Sequence, residues 1–347
     1  MGAALTYAAA TDIANSALEF YVKGSTHKQS IQDRPLLRHL DAGKKFIPGG
    51  KQYINTPVQG VFMDSESGFF AGYEQDDVLT FDDDNNILRC KYLWKEVHAG
   101  LQISWTDLKQ DSIHITDKGR SQSSKADVVR LTGLLANRFE SFSEGYWRKM
   151  NEMFWKDGSQ DSKQVQGLKL LFPDDNTTGS VGGLSRATYS WWRHRVNLTL
   201  SASPANQTMT KTLRSEKRQL RRYRGKPRVM LAGSGFIEAL EEEVHEKGLY
   251  TQQGFVNNGK NDIDMADIWL RGIGPIEYDP TLDDLGETNR MYTLDPKVTR
   301  LRPMEMEENK VSNPPRPYDQ AMFIRSMFWT GGLECFHHNA NGVYEVA

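Results

Sequence analysis

Apolar positions in the span 124–155 fall three or four residues apart without a miss: Val128, Leu131, Leu135, Phe139, Phe142, Tyr146, Met150 and Met153. Leu134, Trp147 and Phe154 widen the stripe. This spacing keeps side chains on one face of an α-helix, which turns once in about 3.6 residues. A helix of roughly 30 residues is therefore predicted, about 45 Å long at about 1.5 Å per residue. The mean helix has only about 11–12 residues. A rod of this length is a backbone element of a large flat or elongated body; the plainer reading is one amphipathic helix of an α/β domain.

The period changes before this helix. "KKFIPGGKQYINTPVQG" and "NNILRCKYLWKEVHAGLQIS" alternate and are rich in β-branched and aromatic residues, which predicts two long strands. The span 62–86 between them is rich in glycine and acid, so the pair reads as a long hairpin projecting from the body. A lone hairpin is barely stable in water and needs a surface to lie on. Upstream, Ile13, Ala17, Leu18 and Tyr21 share a face of a short predicted helix, with Thr11 or Asp12 as cap and Gly24 at its end. The polar span 25–40, which contains Pro35, reads as an extended arm.

After "FPDDNTTG" the character changes again. A basic helix is predicted over 208–224, "PRVMLAG" reads as a buried strand, and "SGFIEALEEEVHEKG" as a second helix with Ser234 as its cap. "MADIWLRGIGPIEYDP" and "MYTLDPKV" read as short strands, completing a small α/β domain. The tail, "MFIRSMFWTGGLECFHHNANGVYEVA", reads as two strands around turns that return to the first domain.

Length and charge narrow the classes. The 347 residues have room for two domains, or for one core with large excursions. Lys and Arg number 43 against 45 Asp and Glu, which argues against a dedicated nucleic-acid binder. Two distant cysteines, Cys90 and Cys335, suit reduced thiols in a cytoplasmic setting rather than a disulfide scaffold. The first residues lack a basic segment followed by a long apolar run, so no signal peptide is expected. No run of 18 apolar residues is present, so no membrane span is expected, and the sequons at Asn176, Asn197 and Asn206 read as chance matches.

The motifs that would carry catalysis each fail at the mechanistic residue. Gly233 and Gly235 follow a strand and open a helix, as in a phosphate cradle, but Glu238 stands where the third glycine should be. Ser234 lacks the flanking glycines of a nucleophile elbow, since Ala232 and Phe236 occupy them. His245 and Glu246 begin a zinc helix that Leu249 breaks. Asp82, Asp84 and Asn86 begin a calcium loop that Ile87 and Leu93 break. Cys335, His337 and His338 have metal-ligand chemistry but read as a surface turn, since a tight site needs three or four converging groups. No catalytic, cofactor or metal residue is assigned.

The run "KTLRSEKRQLRRYRGKPR" holds nine Lys/Arg and one Glu. Its Arg218, Arg221, Arg222 and Arg224 could be solvated, could meet phosphates, or could meet the acidic segments "EQDD", "FDDDNN" and "EMEEN" of another copy. "GSVGGLSRATYSWWRHRV" (Gly179–Val196) pairs Gly182-Gly183 with Trp191-Trp192. It reads as a joint between two domains: the glycines turn sharply, the tryptophans anchor opposite sides, and Arg193 and Arg195 pair with acidic groups across the boundary.

The order of arm, loop, long helix, α/β domain and β tail resembles the tailed-phage major capsid proteins of the Hong Kong 97 type. The likeness rests on "PLLRHLDAGKKFIPGGKQYINTPVQ", "YLWKEVHAGLQISWTDL", "GSVGGLSRATYSWWRHRV" and "GGLECFHHNANGVYEV", and covers nearly the whole chain. It implies an α+β fold: an N-terminal arm over 1–43, an extended hairpin loop over 44–100, and a peripheral domain with a spine helix over 101–175. An apical α/β domain over 176–300 and a return to the peripheral domain over 301–347 complete it. It further implies no catalytic site and self-assembly into pentamers and hexamers of an icosahedral head around double-stranded DNA. That DNA is held without sequence specificity, in a virion assembled in the bacterial host cytoplasm and without membrane contact. Portal, scaffolding and decoration proteins are further partners of such shells. Some members cross-link through Lys and Asn; Lys51 and Asn339 or Asn341 are available, but nothing marks them as a pair. Alternatives are an encapsulin-like cargo shell, a nucleotide-dependent α/β enzyme using the Gly233 turn, and a monomeric nucleic-acid binder using 211–228.

Overall fold

The computed structural model describes residues 31–50, 52–62, 72–78, 87–104, 106, 125–201, 208–246, 256–257, 260–261, 267–270, 274–312 and 322–347. The helix expected at 13–21 and the calcium-like spacing from Asp82 lie outside them. The chain divides into two compact units.

The first unit comprises Met1–Gln32, His98–Met150 and Asn309–Trp329. It holds most of the expected long helix, which follows helix α1 (Pro35–Ala42) in the chain and is α2 (Lys125–Trp155), 31 residues long. Tyr146 and Met150 are buried, and the Tyr146 hydroxyl donates to Asn309 Oδ1 at 2.9 Å. Helix propensity alone rarely sustains such a rod, and burial of Tyr146 and Met150 supports its later turns. In this unit β14 (Lys310–Ser312) pairs antiparallel with the first part of β15 (Met322–Cys335), with Lys310 opposite Phe328.

The second unit comprises Asp33–Val97, Asn151–Glu308 and Thr330–Ala347. Here β1 (Tyr53–Gln59) and β2 (Ile87–Leu93) pair antiparallel from Tyr53 opposite Leu93 to Gln59 opposite Ile87. Their buried positions alternate: Ile54 and Val58 on one strand, Cys90 and Tyr92 on the other. The single long strand expected after residue 86 is broken at Trp94. β3 (Lys95–Ser104) pairs with β15 instead of with β1. Gly332 of β15 allows the break, because a Cβ there would lie 2.7 Å from the Leu93 carbonyl oxygen.

The span 35–42 is a helix rather than part of an extended arm. Pro35 occupies the first turn, where its missing N–H costs nothing. Leu36 and Leu40, one turn apart, are both buried. Asn151 of α2 fastens this helix: its Oδ1 accepts from Leu37 N at 3.2 Å and its Nδ2 donates to Thr281 Oγ1 at 2.7 Å. The short helix α3 (Leu168–Leu171) follows α2.

The largest sheet has the order β10-β11-β7-β12-β16-β6. Its strands are β6 (Arg195–Leu200), β7 (Val229–Ala232), β10 (Asp267–Leu270), β11 (Gly274–Tyr278), β12 (Arg290–Leu294) and β16 (Gly342–Val346). β7 is buried at every position, as its apolar run requires of a central strand. The helices α4 (Met209–Arg222) and α5 (Ser234–Glu246) contribute Met209, Leu213, Phe236 and Leu240 to a core with Met230, Met291 and Tyr344. Helix α6 (Pro280–Asp284) is capped by Asp279. The segment 301–347 is shared between the two units, as the long helix is. Residues 309–329 belong to the unit that holds 98–150, but β16 is inserted between β12 and β6. The smaller pairs are β4 (Ser180–Val181) with β5 (Leu184–Ser185), β8 (Val256–Asn257) with β9 (Lys260–Asn261), and β13 (Thr299–Pro303) with β15.

Gly167 closes the exit of α2. A Cβ there would fall inside the carbonyl oxygens of Met153, Phe154 and Lys156. Gly167→Ala is expected to cost about 1–3 kcal/mol, read as a lower urea midpoint at unchanged slope.

Candidate functional site

The stretch 179–196 folds inside the second unit. Gly182 and Gly183 adopt φ of +60° and +78°. Both lie in the left-handed region, so they form the two-residue turn that joins β4 to β5. The Gly182 carbonyl accepts from Lys91 N of β2 at 2.8 Å. A Cβ on Gly182 would stand 3.1 Å from the Tyr92 ring. The turn is thus shaped to meet the base of the hairpin.

The two tryptophans sit on the 3₁₀ turn Ser190–Trp192. Trp192 is buried, donates Nε1–H to Val181 O at 3.0 Å, and has its ring 4.4 Å from that of His338. Trp191 lies edge-on to Trp192 at 5.7 Å and covers Gly60, just after β1, where a Cβ would overlap the indole. One tryptophan therefore holds the hairpin and the other holds the tail.

A buried polar knot lies beneath them. The Tyr92 hydroxyl donates to Cys335 O at 2.5 Å, and His338 Nε2 lies 3.0 Å from the Tyr92 hydroxyl oxygen. The phenol proton is committed to the carbonyl, so His338 Nε2–H donates to Tyr92. Phe172 presents its edge to both His194 and His338 at 5.5 Å. Arg186, also buried, donates to Leu171 O at 2.8 Å, and His194 Nε2 lies 2.8 Å from Pro173 O. Burial, then the charge of Arg186, pushes the His194 pKa down to about 4. Burial first, and then His194 and Arg186, hold His338 well below its ordinary value. Both imidazoles are therefore neutral near pH 7.

Cys335 and His338 are fully buried, which corrects the expected surface turn. Burial pushes the Cys335 thiol up to about 12, and its sulfur accepts from Asn341 Nδ2 at 3.4 Å. Among the described residues no group of three or more His, Cys, Asp or Glu could hold a metal ion. No helix among them is long and apolar enough to cross a membrane. Both cysteines are free. Asn341 is fully buried and its Oδ1 accepts from Asp295 N at 2.8 Å.

The arginines fall into two groups within the chain. Arg193 donates to the carbonyl oxygens of Arg186 and Ala187, at 2.8 and 3.2 Å, rather than to a carboxylate. Arg195 does pair with an acid, in a two-pronged contact of 2.8 Å to each Glu216 oxygen, but that acid lies on the nearby helix α4 within the same unit. Arg218, Arg221, Arg222 and Arg224 are all exposed, and none pairs with a carboxylate among the described residues. Helix α4 is held from its other end. The buried carboxylate of Glu243 accepts from Met209 N, Thr210 N and Thr210 Oγ1 at 2.8, 3.0 and 2.6 Å. A negative group belongs at a helix N-terminus, where the backbone N–H groups are unpaired.

The Gly233 turn is filled by the protein itself. Asp283 Oδ1 accepts from Ser234 N at 3.0 Å, so Asp283 rather than Ser234 caps α5. Thr288 O accepts from Phe236 N at 3.0 Å and would lie 2.5 Å from a Cβ on Gly233. The glycine admits the 286–289 loop, and a carboxylate occupies the place a nucleotide phosphate would take. Glu243, Tyr92, Asp283 and Arg186 escaped the sequence reading. Each looks like an ordinary strand or surface residue until its burial is known.

No family model and no curated protein matches the sequence. Solved structures do match it, nearly end to end. The capsid asymmetric unit of cyanophage A-1(L) superposes with a TM-score of 0.58 and 15% identity, covering 93% of this chain and 95% of that one. The capsid of cyanophage P-SCSP1u gives 0.55 and 9%, with 94% and 91% covered. The capsid of the Myoviridae phage XM1 gives 0.54 and 12%, with 93% and 95% covered. The chain has the α+β fold of tailed-phage capsid proteins, as its motifs suggested.

Two outcomes follow from the knot. Trp192→Ala removes a fully buried ring and is expected to cost about 3–5 kcal/mol, read by urea unfolding. Acid is expected to weaken the fold. Because the His194 pKa is depressed when folded, the unfolded chain takes up the proton first as pH falls. The stabilisation is complete above about 6.5 and is lost between there and about 4. About 2 kcal/mol is lost at pH 5 relative to pH 8, and His194→Gln should reduce the measured pH dependence by that amount.

Proposed function

We propose that this chain is a structural coat protein that self-assembles into the pentamers and hexamers of a phage head. The observation that carries the proposal is the match to phage capsid structures over 93% of this chain and 95% of the cyanophage A-1(L) chain. A fold matched along nearly all of this chain by phage capsid structures supports a shell role. In this reading the shell surrounds double-stranded DNA without reading its sequence, the chain does no catalysis, and it resides in the virion after assembly in the host cytoplasm. Its main partners are copies of itself.

Physical features support the same reading. A near-neutral net charge of −2 lets many copies approach one another. The hairpin and its connection expose Phe62, Tyr73, Val78 and Ile87, large apolar groups that a neighbouring copy would cover. The nucleotide-enzyme alternative is disfavoured by Asp283 and Thr288, which fill the Gly233 turn.

Negative-stain microscopy and size exclusion of the purified chain test the proposal. Rings, shells or tubes are expected. A compact monomer at every concentration, salt and pH would overturn it. Deleting 64–84 is expected to leave a folded body by circular dichroism that no longer builds stable shells; normal shells from that variant would remove the hairpin from assembly.

A further inference from the structure

A cleft of about 320 Å³ opens beside the basic helix, within the second unit. That volume lies in the range of small-ligand sites, roughly 300–1,000 Å³. Arg193, Arg195 and Arg222 line it, and no Asp or Glu among the described residues does. Arg195 is neutralised by Glu216. Arg193 is held by the carbonyls of Arg186 and Ala187, which fix its plane but leave its charge uncompensated. Arg222 stacks on Tyr223 at 5.4 Å and has no acidic partner among the described residues. Among the described residues, the lining thus carries two positive charges without an acidic partner.

Its neutral groups can donate as well as accept. Ser190, Gln219, Tyr223 and Asn339 also line the cleft, and their side chains have no hydrogen-bond partner among the described residues. His194 completes the wall: it is buried and neutral, its Nε2–H donates to Pro173 O, and its Nδ1, without a partner among the described residues, is an acceptor that adds no donor to the cleft.

We infer that this cleft is a binding site for a phosphate group. Charge and donor number decide between the anions that Arg binds. A carboxylate brings one charge and two oxygens. A phosphate monoester brings about −1.5 to −2 and three free oxygens, which matches two guanidinium forks and several separate O–H and N–H donors. A phosphodiester of the DNA backbone offers the same oxygen chemistry with one charge. This site is a property of the single chain and goes beyond the shell reading.

The test uses the full chain at low salt, with inorganic phosphate, deoxyadenosine monophosphate and a short DNA duplex as probes in calorimetry. Phosphate and the monophosphate are expected to compete for one site. Arg222→Gln is expected to weaken binding about tenfold. Gln219→Glu, an exposed helix position where both residues suit the helix, should abolish binding while circular dichroism stays unchanged. Arg228→Gln, exposed but outside the cleft, should leave binding as it was. Displacement of phosphate by the duplex, lost in Arg222→Gln and kept in Arg228→Gln, would assign the site to the DNA backbone; no displacement would assign it to a free monoester. Absence of binding by every probe, indifference to Gln219→Glu, or duplex binding that weakens equally in both arginine variants would overturn the inference. A chain that binds phosphate yet never assembles would keep this site and sink the shell proposal.

Discussion

The hydrogen bond from the Tyr92 hydroxyl to the carbonyl of Cys335, with His338 closing on the phenol oxygen, is the constraint around which the second unit is arranged. A hairpin has little stability of its own. This one is fixed because one strand delivers a phenol into a dry pocket built by the tail, the Gly182 turn and Trp192. Water cannot replace those bonds once the pocket closes, so losing one partner leaves a buried polar group unpaired. The same dryness keeps two imidazoles neutral beside the Arg186 guanidinium. Three segments far apart in sequence therefore depend on one another, and the knot links the stability of the hairpin base to pH.

Charge is handled differently at the two ends of helix α4. Its N-terminus takes a buried carboxylate, Glu243, whose charge is compensated by backbone N–H groups and the Thr210 hydroxyl. Its C-terminal half leaves Arg218, Arg221 and Arg222 in solvent. The first arrangement fastens the helix to the core, and the second leaves a face for something else to meet. The Gly233 turn shows the reverse economy. A site that could have held a phosphate is closed by Asp283 and by the Thr288 carbonyl. The proposed anion site belongs to the arginine cleft and not to the glycine turn.

Much of the architecture is legible in the chain because it rests on periodicity. The α2 helix follows from an unbroken stripe, β7 from a continuous apolar run, and the pairing of β1 with β2 from two alternating segments. The misreadings share a cause. Pro35 looks like a breaker, yet at the first turn of a helix its missing N–H is harmless. The break at Trp94 has no local signal, because both halves alternate equally well and only the approach of Gly332 ends the first.

Local pattern and composition by themselves determined the elements, their order and the absence of an intact catalytic motif, since these depend on neighbours within a few residues. The order of motifs also carried the resemblance that the capsid structures support. Tertiary structure alone decided which polar residues became buried: Tyr92, Arg186, Glu243, His338 and Asn341 have partners 15 to 246 residues away. It also decided that Gly182, Gly183, Trp191 and Trp192 clasp the hairpin to the tail. The reason is physical. Burial removes water from whatever groups the fold brings together, and no window of sequence contains the groups that will be left facing one another.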